Sequence, residues 1–216
     1  NSSLFKIIDL DLENGQNQSN QLILSVRSKS VINDSLLLVG TQRDGLVILN
    51  QKSNKKTFFN QQNSLLQNNV VKTTLVTKSD KVWLGTDFGL AELDTSMGFT
   101  IHLHNPFIDN SLANSIIWDI FEDQSGALWL GTNNGLSILF NKKNRFNYHP
   151  IAIKNQNNFA GCEVRAITRL NTDNLLLSTQ NGLIQYEKDD RNIQILKGPN
   201  NLLNDTKGSL VDSKGR

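Results

Sequence analysis

The stretch Leu128-Trp129-Leu130-Gly131-Thr132-Asn133-Asn134-Gly135-Leu136 decides the fold, because the chain repeats it four times. The other copies are Leu36-Leu37-Leu38-Val39-Gly40-Thr41 with Gly45-Leu46, Val82-Trp83-Leu84-Gly85-Thr86 with Gly89-Leu90, and Leu175-Leu176-Leu177-Ser178-Thr179 with Gly182-Leu183. Their Gly40, Gly85, Gly131 and Ser178 stand 45, 46 and 47 residues apart. A period of roughly 40 to 50 residues built from short strands is the mark of four-stranded propeller blades. Helical repeats of that length would place apolar residues at a 3.6 period, and this pattern is absent.

Outward from that phrase, one whole period can be read. Ser115 to Phe121 forms a β-rich strand, Glu122 to Gly126 its turn, and Ala127 to Thr132 the second strand of a hairpin. Asn133-Asn134-Gly135 is a tight turn in which Gly supplies positive φ. Leu136 to Phe140 is the third strand and Arg145 to His149 the outer one. Equivalent inner strands centre on Val26, Val71 and Val164. The chain therefore reads as an all-β single propeller segment over 1–216, with blades at about 22–60, 65–105, 112–150 and 160–197. Partial blades are expected at 1–12 and 203–216. Unpaired edges at both ends predict that the native polypeptide continues, as a window on a larger, seven-bladed ring.

Composition narrows the function. A formal net charge of +2, from 22 basic and 20 acidic residues, provides no field for nucleic acid, so no nucleic-acid partner is expected. The single cysteine, Cys162, forms no internal disulfide, and no apolar run reaches membrane-spanning length. Any membrane attachment is expected through segments outside this chain.

In the repeated phrase, Trp83 and Trp129 share a position with Leu38 and Leu176, which predicts packing between blades. Gly-Thr is read as the end of the second strand, where neighbouring backbones crowd. Asp123 to Gly126 reads as an Asx-type turn, since one carboxylate falls short of a calcium loop.

Asp123-Gln124-Ser125-Gly126-Ala127-Leu128-Trp129-Leu130-Gly131-Thr132-Asn133-Asn134-Gly135-Leu136, preceded by Ser111-Leu112-Ala113-Asn114, resembles the two-component regulator propeller repeat. The first copy departs from it in a turn one residue longer, and the fourth in Ser178 and the missing Trp. The resemblance implies the extracytoplasmic, periplasmic sensor of a bacterial membrane regulator whose output is a histidine kinase or a diguanylate cyclase. It implies signal input and self-association of the full-length regulator, with no output chemistry in this segment.

No nucleophile elbow, phosphate loop or metal-ligand spacing is present, so no catalytic residue, metal or cofactor is expected. The three histidines, His102, His104 and His149, are assigned to outer strands as surface residues. One constellation remains: alignment of the inner strands puts Arg27, Lys72, Trp118 and Arg165 at one position near the mouth of the axial channel. Three cations and an aromatic there suit an acidic or saccharide-like small molecule. The turns between second and third strands should share that face, bringing Gln42, Arg43, Asp87, Asn133, Asn134, Gln180 and Asn181 to it. The competing readings are a docking or dimerisation propeller without a small ligand and a propeller enzyme, for which Asp119 and Glu163 are the only inner-strand carboxylates.

Overall fold

The computed structural model describes residues 26–94, 96–140, 145–149, 151, 162–188 and 192–196. Among the described residues, sixteen strands form four sheets. The first holds β1 (Val26–Asn33), β2 (Leu36–Thr41), β3 (Leu46–Asn50) and β4 (Lys56–Phe59). The second holds β5 (Val71–Val76), β6 (Val82–Thr86), β7 (Gly89–Leu93) and β8 (Phe99–His102). The third holds β9 (Ile117–Glu122), β10 (Leu128–Thr132), β11 (Gly135–Phe140) and β12 (Arg145–His149). The fourth holds β13 (Val164–Arg169), β14 (Asn174–Thr179), β15 (Gly182–Glu187) and β16 (Ile193–Leu196). Each sheet is an antiparallel meander in chain order, one blade per repeat. The first strands of successive blades pack side by side, β1 on β5, β5 on β9 and β9 on β13, which makes them the inner strands. The expected partial blades at 1–12 and 203–216 lie outside the described residues.

The blades are joined by apolar contacts between sheet faces. Trp129 and Ile138 of the third blade share a core with Val164, Leu177 and Tyr186 of the fourth. Trp83 and Leu90 of the second blade pack with Ile117, Leu130 and Phe146 of the third, and Leu38 and Ile48 of the first with Leu84 and Phe99 of the second. Trp83 and Trp129 are 4% and 5% exposed, so both serve the packing role expected of them. Each such side chain withdrawn from water contributes about 1.5–3 kcal/mol.

The Gly-Thr pair does two jobs. The glycine lets the next blade approach: a Cβ at Gly131 would lie 2.5 Å from the Val164 carbonyl oxygen, and one at Gly40 2.9 Å from that of Val71. The threonine closes the following turn. Its hydroxyl donates to the carbonyl of the glycine that opens or precedes the third strand, from Thr41 to Gly45, Thr86 to Gly89, Thr132 to Gly135 and Thr179 to Gly182, at 2.8–3.0 Å. That glycine then donates its own N–H to the segment leading into the next blade: Gly45 to Asn69, Gly89 to Ser115 and Gly135 to Cys162, at 2.9, 2.6 and 2.9 Å. Gly45 and Gly135 each hold φ near 79°, a conformation in which a side chain is strained.

The histidines correct one expectation. His102 and His149 end the outer strands β8 and β12, but His149 is 7% exposed, covered by Trp129 and hydrogen-bonded through Nδ1 to the Tyr186 hydroxyl at 2.9 Å. His104 lies beyond β8 in a connecting segment. An outer strand is shielded on the side where the next blade leans against it, so position in the blade did not equal exposure.

Candidate functional site

Each inner strand carries a β-bulge near its start, and the residue of the same repeat position occupies it every time. On β5, Val71 pairs with Thr86 and Thr73 with Gly85, leaving Lys72 unpaired between them. On β9, Ile117 pairs with Thr132 and Asp119 with Gly131, leaving Trp118. Arg27 on β1 and Arg165 on β13 sit in matching irregularities, between Val26 and Ser28 and between Val164 and Ala166. A bulge breaks the alternation of the strand and redirects the extra residue. All four residues therefore leave the blade faces and converge on one cleft of about 700 Å³, floored by Thr73 and Asp119.

The four are linked to one another and to the turns above them. Lys72 Nζ stands 3.8 Å from the centroid of the Trp118 ring, and the Arg165 guanidinium carbon 5.8 Å from it on the neighbouring blade. Lys72 also pairs with Asp87 Oδ1 at 2.9 Å, and Arg165 with Glu163 Oε2 at 2.8 Å. The Trp118 indole N–H donates to Asn133 Oδ1 at 2.6 Å, and Arg27 Nε donates to Gln42 Oε1. Each cation is thus oriented by a short polar contact at the rim of the cleft, where charge-assisted hydrogen bonds are the stronger kind.

Not every turn residue expected on this face reaches the cleft. Gln42, Asp87 and Asn133 touch its rim residues. Asn134 instead hydrogen-bonds the Tyr148 hydroxyl on β12, away from the axis. Arg43 and Gln180 are exposed at the turn tips, and Asn181 donates its backbone N–H to Thr179 Oγ1. In the first three turns one side chain each, Gln42, Asp87 and Asn133, meets a residue of the cleft.

Asp119 is the site residue that sequence reasoning passed over as anything but a lone carboxylate. Its Oδ2 accepts the Ile167 N–H of the fourth blade at 2.7 Å, and its Oδ1 the Ile120 N–H at 2.9 Å and the Thr73 hydroxyl of the second blade at 3.3 Å. Burial pushes this carboxyl up to about 6, against the opposing pull of those three donors. One side chain thereby ties three consecutive blades at the floor of the cleft. Its equivalents are Ser28, Thr73 and Ala166, so no repeated signal advertised it.

Cys162 is buried, and burial raises its thiol to about 11, which keeps it protonated and unreactive. Among the described residues no group of three His, Cys, Asp or Glu side chains could hold a metal ion. No described helix is long and apolar enough to cross a membrane.

The architecture defines a β-propeller of four-stranded antiparallel blades with a polar, cation-ringed axial cleft. Residues 111–134 match the family described as "Two component regulator propeller". Among solved structures, it is similar to the extracellular domain assigned to the hybrid two component system BT4673 of B. thetaiotaomicron. That match has 21% identity and a TM-score of 0.74 over 93% of this chain and 26% of that one. The corresponding domain of BT3049 from the same organism matches at 17% identity and a TM-score of 0.73 over 88% and 26%. A catalytically inactive virginiamycin B lyase from Staphylococcus aureus, solved with quinupristin, shares the fold at 14% identity and a TM-score of 0.62 over 82% and 57%. The chain thus spans about a quarter of the two extracellular domains. No curated protein matches it by sequence.

Proposed function

We propose that this chain is the recognition part of a periplasmic sensor region in a bacterial membrane-bound regulator, feeding a histidine kinase or diguanylate cyclase output carried elsewhere in the polypeptide. The repeat it carries and its likeness to extracellular domains assigned to two component systems support this reading. One observation carries it: four bulges on four blades deliver Arg27, Lys72, Trp118 and Arg165 to a single cleft. Bulges concentrate where a side chain must be re-aimed for function. Three cations around an indole, with hydroxyls and Asp119 below, suit an acidic saccharide: carboxylates take guanidinium or ammonium donors, and the sugar's apolar face takes the ring.

Calorimetry with uronic acid oligosaccharides tests it. Arg27→Ala, Lys72→Ala and Arg165→Ala should each weaken binding while the circular dichroism spectrum stays unchanged. Equal affinity in all three variants would overturn the assignment of the cleft.

A second reading, a docking propeller, draws on the connection between β8 and β9, where Phe107 is 93% and Ile108 57% exposed. Loss of self-association on Phe107→Ser, measured by light scattering, with no ligand at the cleft, would favour it.

A further inference from the structure

A second site lies at the opposite end of the inner strands, in the groove between the second and third blades. Two copies of the same turn expose it. In the third blade, Asp123 N–H donates to Ala127 O, while Asp123 Oδ1 accepts from Ala127 N and from the Ser125 hydroxyl. In the second blade, Thr77 N–H donates to Lys81 O, while Thr77 Oγ1 accepts from Lys81 N and contacts the Ser79 hydroxyl. The threonine oxygen thus takes the place of Asp123 Oδ1 toward the residue four positions on and the serine two positions on, and its own hydroxyl is directed to Lys81 O at 3.2 Å. Nothing reproduces Asp123 Oδ2, and that is the atom that accepts the Trp129 indole N–H at 2.9 Å.

The equivalent tryptophan, Trp83, therefore has an indole nitrogen that is buried and unpartnered. The residue is only 4% exposed and lines a cavity of about 170 Å³, several times the ~30 Å³ that a water molecule occupies in the liquid. The Nε2 atom of His102, on the same wall, is likewise buried and unpartnered. A buried polar atom left without a partner carries the full cost of its lost hydration, so a group that supplies a partner is held with corresponding preference.

The charges around the cavity select what that group can be. Lys81 and Glu92 pair at 2.7 Å and cancel, while Glu122 leaves the lining with an excess negative charge. A carboxylate would satisfy Trp83 but face Glu122. A hydroxyl accepts from the indole N–H, donates to a glutamate or to the histidine, and carries no charge.

We propose that this inter-blade groove binds a small uncharged polyol, with one hydroxyl on the Trp83 indole N–H and its neighbours on His102 and Glu122. The site is separate from the axial cleft and does not depend on the function proposed for it.

The chain has three tryptophans, and each reports a different place: Trp83 the groove, Trp118 the axial cleft and Trp129 the closed Asp123 contact. Their indole N–H signals in an ¹⁵N–¹H spectrum, assigned with Trp83→Phe, are followed while erythritol or myo-inositol is added, with sodium acetate as the carboxylate control. The expected result is a saturable shift of the Trp83 signal alone with a polyol and no saturable shift with acetate. Thr77→Asp, which supplies the missing carboxylate oxygen, should abolish the response. A Trp83 signal that stays still, drifts in parallel with the other two, or answers acetate as it answers polyol overturns the proposal. So does an undiminished response in Thr77→Asp.

Discussion

Lys72 Nζ lies 3.8 Å above the Trp118 ring while holding Asp87 Oδ1 at 2.9 Å, so a cation from one blade bridges the inner strand of the next and the turn above its own. The Lys72 side chain is only 8% exposed, which places the contact among the stronger cation–π pairs. A double-mutant cycle of Lys72→Met and Trp118→Leu, read from urea midpoints, should give a coupling of about 1–2 kcal/mol. Simple additivity would mean that the stacked pair contributes nothing to blade cohesion.

Two tryptophans at one repeat position should respond differently to the same change. Trp129→Phe strands Asp123 Oδ2 and removes a buried donor contact, with an expected loss of about 1–2 kcal/mol. Trp83→Phe removes an indole N–H that has no protein partner, and stability should hold or rise. Thr77→Asp should add about 1 kcal/mol by giving Trp83 the acceptor its counterpart enjoys. Thermal unfolding of the three variants checks the set.

Asp119 should impose a pH dependence of unusual sign. Its carboxyl keeps its proton to about pH 6 in the folded chain, against an ordinary value of 3.8 once unfolded. Between those values the unfolded chain binds fewer protons, so this group makes stability fall as pH rises, by on the order of 2–3 kcal/mol in all, and adds no further loss above pH 6. Asp123 works the other way. Burial tends to raise it, but the Ser125, Trp129 and Ala127 donors outweigh that and hold it below the usual range, so its contribution is lost only on acidification. The difference in urea stability between the parent chain and Asp119→Asn at pH 4, 5, 6 and 7 isolates the Asp119 share. A difference that does not change across that range would refute the buried, proton-retaining state.

Gly131→Ala should destabilise by about 1–3 kcal/mol, because the new Cβ would meet the Val164 carbonyl oxygen at 2.5 Å and backbone has little room to yield. Gly98→Ala is the matched control. Its Cβ would meet only the Asp94 carboxylate, at 2.8 Å on the end of a movable side chain, and stability should change by less than about 0.5 kcal/mol. Equal melting temperatures for the two variants would show that blade approach is not limited at Gly131.

The spacing of the repeated phrase was enough to place all four sheets, because a strand's length, its turn glycine and its buried alternation are local properties. Trp83 and Trp129 were legible as interface residues for the same reason, since Leu fills their position elsewhere. The bulges were not legible. Nothing in Val71-Lys72-Thr73 marks Lys72 as the residue that loses its partner, since the slip is set by how Gly85 and Thr86 meet the strand opposite. The ring could be aligned, but the device that turns it inward could not be read. Asp119 was hidden for a different reason: its partners, Thr73 and Ile167, lie 46 and 48 residues away on two other blades. His149 likewise took its burial from a neighbour, Tyr186, that sequence distance kept out of view.

At the three junctions between described blades the turn glycine's N–H reaches forward, from Gly45 to Asn69, from Gly89 to Ser115 and from Gly135 to Cys162. The array is therefore polar in the sense that a chain of hooks and eyes is polar: at each of these three junctions a blade offers a donor to its successor, and the successor offers an acceptor in return. Any junction of whole periods, between any two copies, restores both halves of the clasp. Gain or loss of whole periods, 45 to 47 residues each, thus leaves the joints intact, whereas removal of a fraction of a period breaks one.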